Sequence, residues 1–131
     1  MDNLDVEITY QGVAVEANFH KWNMLSGYSG TGKTFLMQAV ELFCKNNSIA
    51  CIYCDYRFAD YTDEQIKELS KNAKIVLLDN ADLYLNNDLF SWFKDKSLFI
   101  ACMKDTTGLD MYGVHKYITN YKDKRITVEE F

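Results

Sequence analysis

Leu4, Val6, Ile8 and Tyr10 alternate with Asp5, Glu7 and Thr9, the period of two expected of a half-buried strand. After Gln11-Gly12 the alternation resumes at Val13, Val15, Ala17 and Phe19, so this stretch predicts a β-hairpin. A short strand over 21–25 then runs into a glycine-rich stretch. Phe35, Leu36, Ala39, Val40, Leu42 and Phe43 fall at helical spacing and predict a helix over 33–45, closed by Asn46-Asn47-Ser48. The apolar run 49–54 predicts a strand. Thr62-Asp63-Glu64-Gln65 has the form of a capping box and opens a helix reaching about residue 72. Ile66 and Leu69 are its few apolar positions, which predicts a surface helix.

Residues 74–79 and 98–103 are apolar on both faces, the pattern of strands inside a parallel sheet covered on both sides. A short helix is expected over 87–95, and a turn or short helix after Thr106-Thr107-Gly108. Residues 115–121 and 126–130 predict a second hairpin around Lys122-Asp123-Lys124-Arg125. Alternation of strand and helix in the centre gives the fold class: α/β, a three-layer sandwich on a mostly parallel central sheet, with terminal β-hairpins that extend or flank it. A length of 131 residues predicts a single domain over 1–131.

Charge narrows the partners. The formal net charge is −5, which argues against non-specific nucleic-acid binding, since that runs on Lys and Arg against phosphate. There is no Pro, so no Pro-rich linker. No apolar run approaches the ~18–20 residues of a membrane span. The acidic start Met1-Asp2-Asn3-Leu4-Asp5 lacks the basic and apolar regions of a signal peptide, which leads to an expected cytoplasmic location with reduced cysteines. Cys51 and Cys54 form a C-x-x-C, but three residues apart on a strand places them on opposite faces, and no second such pair or nearby His completes a zinc set. His20 and His115 stand isolated in the sequence and carry no metal spacing.

One motif dominates. Gly27-Tyr28-Ser29-Gly30-Thr31-Gly32-Lys33-Thr34 matches G-x-x-x-x-G-K-[ST] in full, after a predicted strand and before a predicted helix. Glycines let such a loop wrap an anion, its amides point at phosphates, and the helix N-terminus adds partial positive charge. Lys33 is placed to reach the outer phosphates, and the Thr34 hydroxyl to ligate Mg²⁺.

On this loop the sequence resembles the P-loop NTPase superfamily, over roughly residues 20–105, with 27–34 as the Walker A motif. The resemblance implies a Walker B motif, four apolar residues and an acid, which Ile75-Val76-Leu77-Leu78-Asp79 supplies. Asp79 is then implied to hold Mg²⁺ through water. Many similar ATPases carry Glu next, to polarise the attacking water. Asn80 stands there instead, and Asp82 is the acid two residues on. Asn80 and Asp82 are therefore the tentative catalytic candidates beside Lys33. Lys104, Asp105 and Thr106 fall where similar ATPases place a γ-phosphate sensor, and Arg57 and Arg125 are the only arginines that could serve as fingers. Tyr28, Trp22 and Tyr112 are candidates to stack on a base.

The guanine-reading N-K-x-D and the D-x-x-G of GTPases are absent, and two arginines are too few for a kinase lid. The resemblance is to a minimal AAA-type, additional-strand ATPase core, implying sheet order 5-1-4-3-2. Two functions remain open: a Mg²⁺-dependent ATPase, slow or stimulated by a partner, and an ATP-binding switch or assembly module without significant hydrolysis. Both expect ATP and Mg²⁺ as ligands, and a protein partner or further copies of the chain.

Overall fold

Strand alternation and helical spacing resolve into the elements they predict, with boundaries shifted by a residue or two. The computed structural model describes residues 1–26 and 32–131. Gly27, Tyr28, Ser29, Gly30 and Thr31, five of the expected phosphate-binding residues, lie outside the described residues. The elements run β1 (Leu4–Tyr10), β2 (Val13–Phe19), β3 (Trp22–Ser26), α1 (Lys33–Asn46), β4 (Cys51–Cys54), α2 (Asp63–Ser70), β5 (Ile75–Leu78), α3 (Asn87–Lys96), β6 (Leu98–Cys102), β7 (His115–Lys122) and β8 (Arg125–Glu130). Two 3₁₀ turns, Tyr56–Asp60 and Ala81–Leu83, add to these.

All eight strands form one sheet in the order β1-β2-β8-β7-β3-β6-β5-β4. The run β7-β3-β6-β5-β4 is parallel throughout. The two hairpins are antiparallel, and they join edge to edge through a parallel pairing of β2 with β8 that sets Val15 opposite Ile126. The expected five-strand sheet of order 5-1-4-3-2 is thus corrected to a longer, mixed one. The reason is edge chemistry: β7 would otherwise leave a row of unpaired N–H and C=O groups, which β8 and then β2 and β1 satisfy in turn.

The sheet curls. Helix α1 packs against both β1 and β4, strands at opposite edges. On this concave face Leu36, Met37, Ala39, Val40 and Cys44 of α1 meet Val6, Val15, Leu25, Ile75, Leu77 and Ile100. The other face buries Met24, Val76, Leu78, Phe99 and Ala101 under Ile66 of α2 and Leu89, Phe90 and Phe93 of α3. Neighbouring residues of β5 therefore serve opposite cores, which is why its sequence is apolar without alternation. Each such fully buried side chain contributes about 1.5–3 kcal/mol relative to exposure.

The capping box of α2 is formed, with Thr62 Oγ1 accepting from Gln65 N at 3.2 Å and Gln65 Oε1 from Thr62 N at 2.8 Å. Cys51 joins the α1 core while Cys54 joins the opposite one, so the C-x-x-C pair faces apart as its strand spacing requires. All four cysteines are free thiols. No helix among the described residues is long and apolar enough to cross a membrane.

Candidate functional site

A cleft of about 400 Å³ opens at the carboxyl ends of the parallel strands and is lined by Lys33, Thr34, Asp79, Asn80, Asp82 and Lys104, among others. In open parallel sheets this end is where ligands collect, because the helix N-termini point there. Gly32 precedes α1 with φ +88°, a left-handed conformation that favours glycine, and its carbonyl accepts the first helical bond from Leu36 N at 2.8 Å. The first turn of α1 carries no acidic side chain, so its partial positive charge is not offset from within the turn.

Asp79 follows β5 and is 4% exposed. Its Oδ2 accepts from the Thr34 hydroxyl at 2.9 Å and from the Tyr53 hydroxyl at 2.7 Å. Its Oδ1 accepts from Asn80 N at 3.0 Å. Thus the threonine of the glycine-rich motif and the acid of the apolar run, far apart in sequence, meet side chain to side chain. Hydroxyl and carboxylate oxygens are hard donors of the kind Mg²⁺ prefers, so this pair fits the ion that the sequence implies.

Two tyrosines missing from the expected site hold Asp79 in place, one at its carboxylate and one at its backbone. Tyr53, from β4, reaches its Oδ2, and Tyr84 donates to the carbonyls of Asp79 at 2.6 Å and Cys54 at 3.1 Å. Burial pushes both phenols well above their ordinary range, and for Tyr53 the Asp79 carboxylate adds to the effect. Both therefore stay protonated and donate. In the sequence they read as ordinary strand and core aromatics, with no signal to single them out.

Asn80 is exposed with φ 52° and ψ 40°, a left-handed turn residue. Asp82 does not stand free in the cleft: its Oδ2 accepts from Lys104 N at 2.7 Å and its Oδ1 from Asp105 N at 3.0 Å. It ties the turn after β5 to the loop after β6, the segment expected to sense a γ-phosphate. Burial raises the Cys102 thiol above its ordinary range, and the charge of Lys33 offsets part of that.

Other candidates fall elsewhere. Trp22 lies at the opposite end of β3 from the cleft, with its indole N–H on the carbonyl of Lys94 at 3.1 Å and the Lys94 ammonium 4.8 Å from its ring. Tyr112 is 87% exposed on the loop leading into β7, at that same far end. Neither borders the cleft. Arg57 pairs with Asp55 at 2.8 Å and Arg125 with Glu16 at 2.6 Å, both at the surface. His20 and His115, isolated in sequence, stack with ring centroids 3.7 Å apart.

No family model and no curated protein matches the chain. Two solved structures do. One is described as a DNA replication initiation factor, with TM-score 0.53 and 22% identity over 67% of this chain and 34% of that one. The other is AMPPCP-bound DnaA from Aquifex aeolicus, with TM-score 0.50 and 22% identity over 69% of this chain and 35% of that one. The chain spans about a third of the length of each. At this identity the likeness is one of fold: an α/β architecture shared in part with DnaA.

Proposed function

We propose that the chain binds ATP with Mg²⁺ in the cleft at the N-terminus of α1, and that it hydrolyses ATP slowly or when a partner supplies what it lacks. The observation that carries this reading is the 2.9 Å hydrogen bond from Thr34 to Asp79 beside Lys33, where two sequence motifs meet at one helix end. Numbered from β3, the parallel run β7-β3-β6-β5-β4 follows the order 5-1-4-3-2 within the larger mixed sheet, which supports a P-loop NTPase core. The bound AMPPCP in the DnaA of similar fold supports nucleotide as the ligand.

In this reading Lys33 and the loop amides neutralise phosphate charge, and Thr34 and Asp79 hold the metal. Mg²⁺ held by Thr34 and Asp79 would offset phosphate charge there. Asn80 cannot take a proton from water near neutral pH, and Asp82 is engaged by two backbone amides. Asp82 is then a positioning residue rather than the base. This same pair of observations favours the second reading, a module that holds ATP and presents a surface to a partner or to another copy of the chain. Both arginines pair with acids of their own chain, so an arginine finger would come from outside.

The test combines melting with phosphate release. A hundredfold excess of Mg-ATP over its Kd should stabilise wild type by about 2.7 kcal/mol. Lys33→Ala should lose that gain while melting normally without nucleotide. Phosphate release that disappears in Lys33→Ala marks an ATPase; binding without release marks the switch. Absence of any Mg-ATP shift in wild type overturns nucleotide binding by the isolated chain.

A further inference from the structure

The stacked histidines lie outside the nucleotide cleft, at the other end of β3. His20 sits on the connection between β2 and β3, His115 opens β7, and Glu130 closes β8. Strand register brings the three together. β7 pairs with β3 so that His115 faces Asn23, and β8 pairs with β7 so that Glu130 faces Tyr117, two residues from His115 on the same face. His115 Nδ1 contacts Glu130 Oε1, and His20 Nε2 lies 3.9 Å from that same oxygen. One ligand atom from each of the three residues falls within 4.8 Å of the others.

The arrangement is also braced. Asn23 is fully buried on β3, and its side chain clamps the backbone of His20 from both sides: Oδ1 accepts from His20 N at 2.9 Å, and Nδ2 donates to His20 O at 2.7 Å. A third bond, from Nδ2 to Phe99 O at 3.0 Å, fixes the amide to β6. A buried polar side chain thus holds an exposed histidine backbone in place beside two other donors.

We propose that His20, His115 and Glu130 form a binding site for a divalent transition metal of the zinc class. Two imidazoles and one carboxylate are a known three-residue donor set for Zn²⁺, and they leave a fourth position open. Imidazole nitrogen selects such metals over Mg²⁺ and Ca²⁺, which take oxygen. Tetrahedral bonds of 2.0–2.1 Å put donors about 3.4 Å apart, and closing the cluster onto an ion turns the two rings out of their stack so that both nitrogen lone pairs converge. His20 and His115 also line an open hollow with Asp2, Lys21, Trp22 and Gly113, so water supplies the fourth ligand. Bound metal joins the N-terminal hairpin, β3 and the C-terminal hairpin at one point. Binding there is independent of the nucleotide reading, because the cleft uses other residues.

The experiment titrates Zn²⁺ and Co²⁺ into the full chain after chelator treatment, without nucleotide. Wild type should bind one equivalent and melt at higher temperature with it. His20→Ala, His115→Gln and Glu130→Gln should each weaken binding by at least about 100-fold, beyond the 10–100-fold typical of an outer-shell partner. Lys33→Ala should bind metal as wild type does. No Zn²⁺-dependent melting shift in wild type overturns the site. So does a near-ultraviolet thiolate-to-cobalt band, which would place the metal on cysteine. Co²⁺ spectra of wild type decide this even if a variant fails to fold.

Discussion

The Asp79 carboxylate accepts hydrogen bonds from three places at once: α1 through Thr34, β4 through Tyr53, and its own turn through Asn80 N. A carboxylate this deeply buried needs such donors, since an ionised group removed from water is costly unless it is satisfied. Tyr53→Phe removes one of them without changing shape. Its expected cost is about 1.5 kcal/mol, as for a hydrogen bond to a charged group, read by urea unfolding without nucleotide. Unchanged stability would show that the phenol is not holding Asp79. Lys33, Thr34 and Asp79 were legible because each belongs to a pattern that chemistry restricts, a glycine-rich loop or an acid after four apolar residues. Tyr53 and Tyr84 were not, because an aromatic on a strand looks the same whether it packs or donates. The histidine pair was hidden for another reason: its members are brought together by strand register, not by spacing.

At the scale of elements, the turn after β5 and the loop after β6 behave as one unit. Asp82 joins them by accepting from Lys104 N and Asp105 N. Asp82→Ala should expose those two amides to solvent exchange and lower stability by about 1 kcal/mol, the order of a single net hydrogen bond, because the group is exposed. Hydrogen exchange at residues 104 and 105 is the direct measure; protection equal to wild type would remove the tie. Asp82→Asn, which keeps one accepting oxygen, should recover part of that protection. The strands and helices themselves were readable from period and capping, as Thr62 with Gln65 shows. Which strands pair was not: β2 and β8 each alternate in a way that fits many partners, and only the assembled sheet selects between them.

For the whole molecule, the two cores share a set of buried acids that are neutral in the folded state. Burial, with the nearby Asp55 carboxylate, pushes Cys54 up to about 12, and burial with Glu130 beside it pushes Tyr117 up to about 12. Unfolding returns each to its ordinary value, 9.0 for the thiol and 10.0 for the phenol. Between those values and about 12 the unfolded chain has released protons that the folded one keeps. Stability from these groups is therefore whole below pH 9 and falls as pH rises toward 12. Each group contributes a slope of up to about 1.4 kcal/mol per pH unit. Denaturation at pH 8 and pH 10.5 should show the fall, and Cys54→Ala should make it shallower while Tyr117 and the other buried groups keep the rest. A profile level across that range would contradict the burial. The pairing of β2 with β8 carries a different consequence. Glu16 and Arg125, which meet across it, are 109 residues apart in sequence. During synthesis on the ribosome, β1 and β2 emerge before the rest of this sheet and can form a hairpin, yet the strand that covers the open side of β2 is made more than a hundred residues later. Closing so long a loop is slow. Completion of this sheet thus waits for β8, and until β8 is made the nascent hairpin has an unprotected edge.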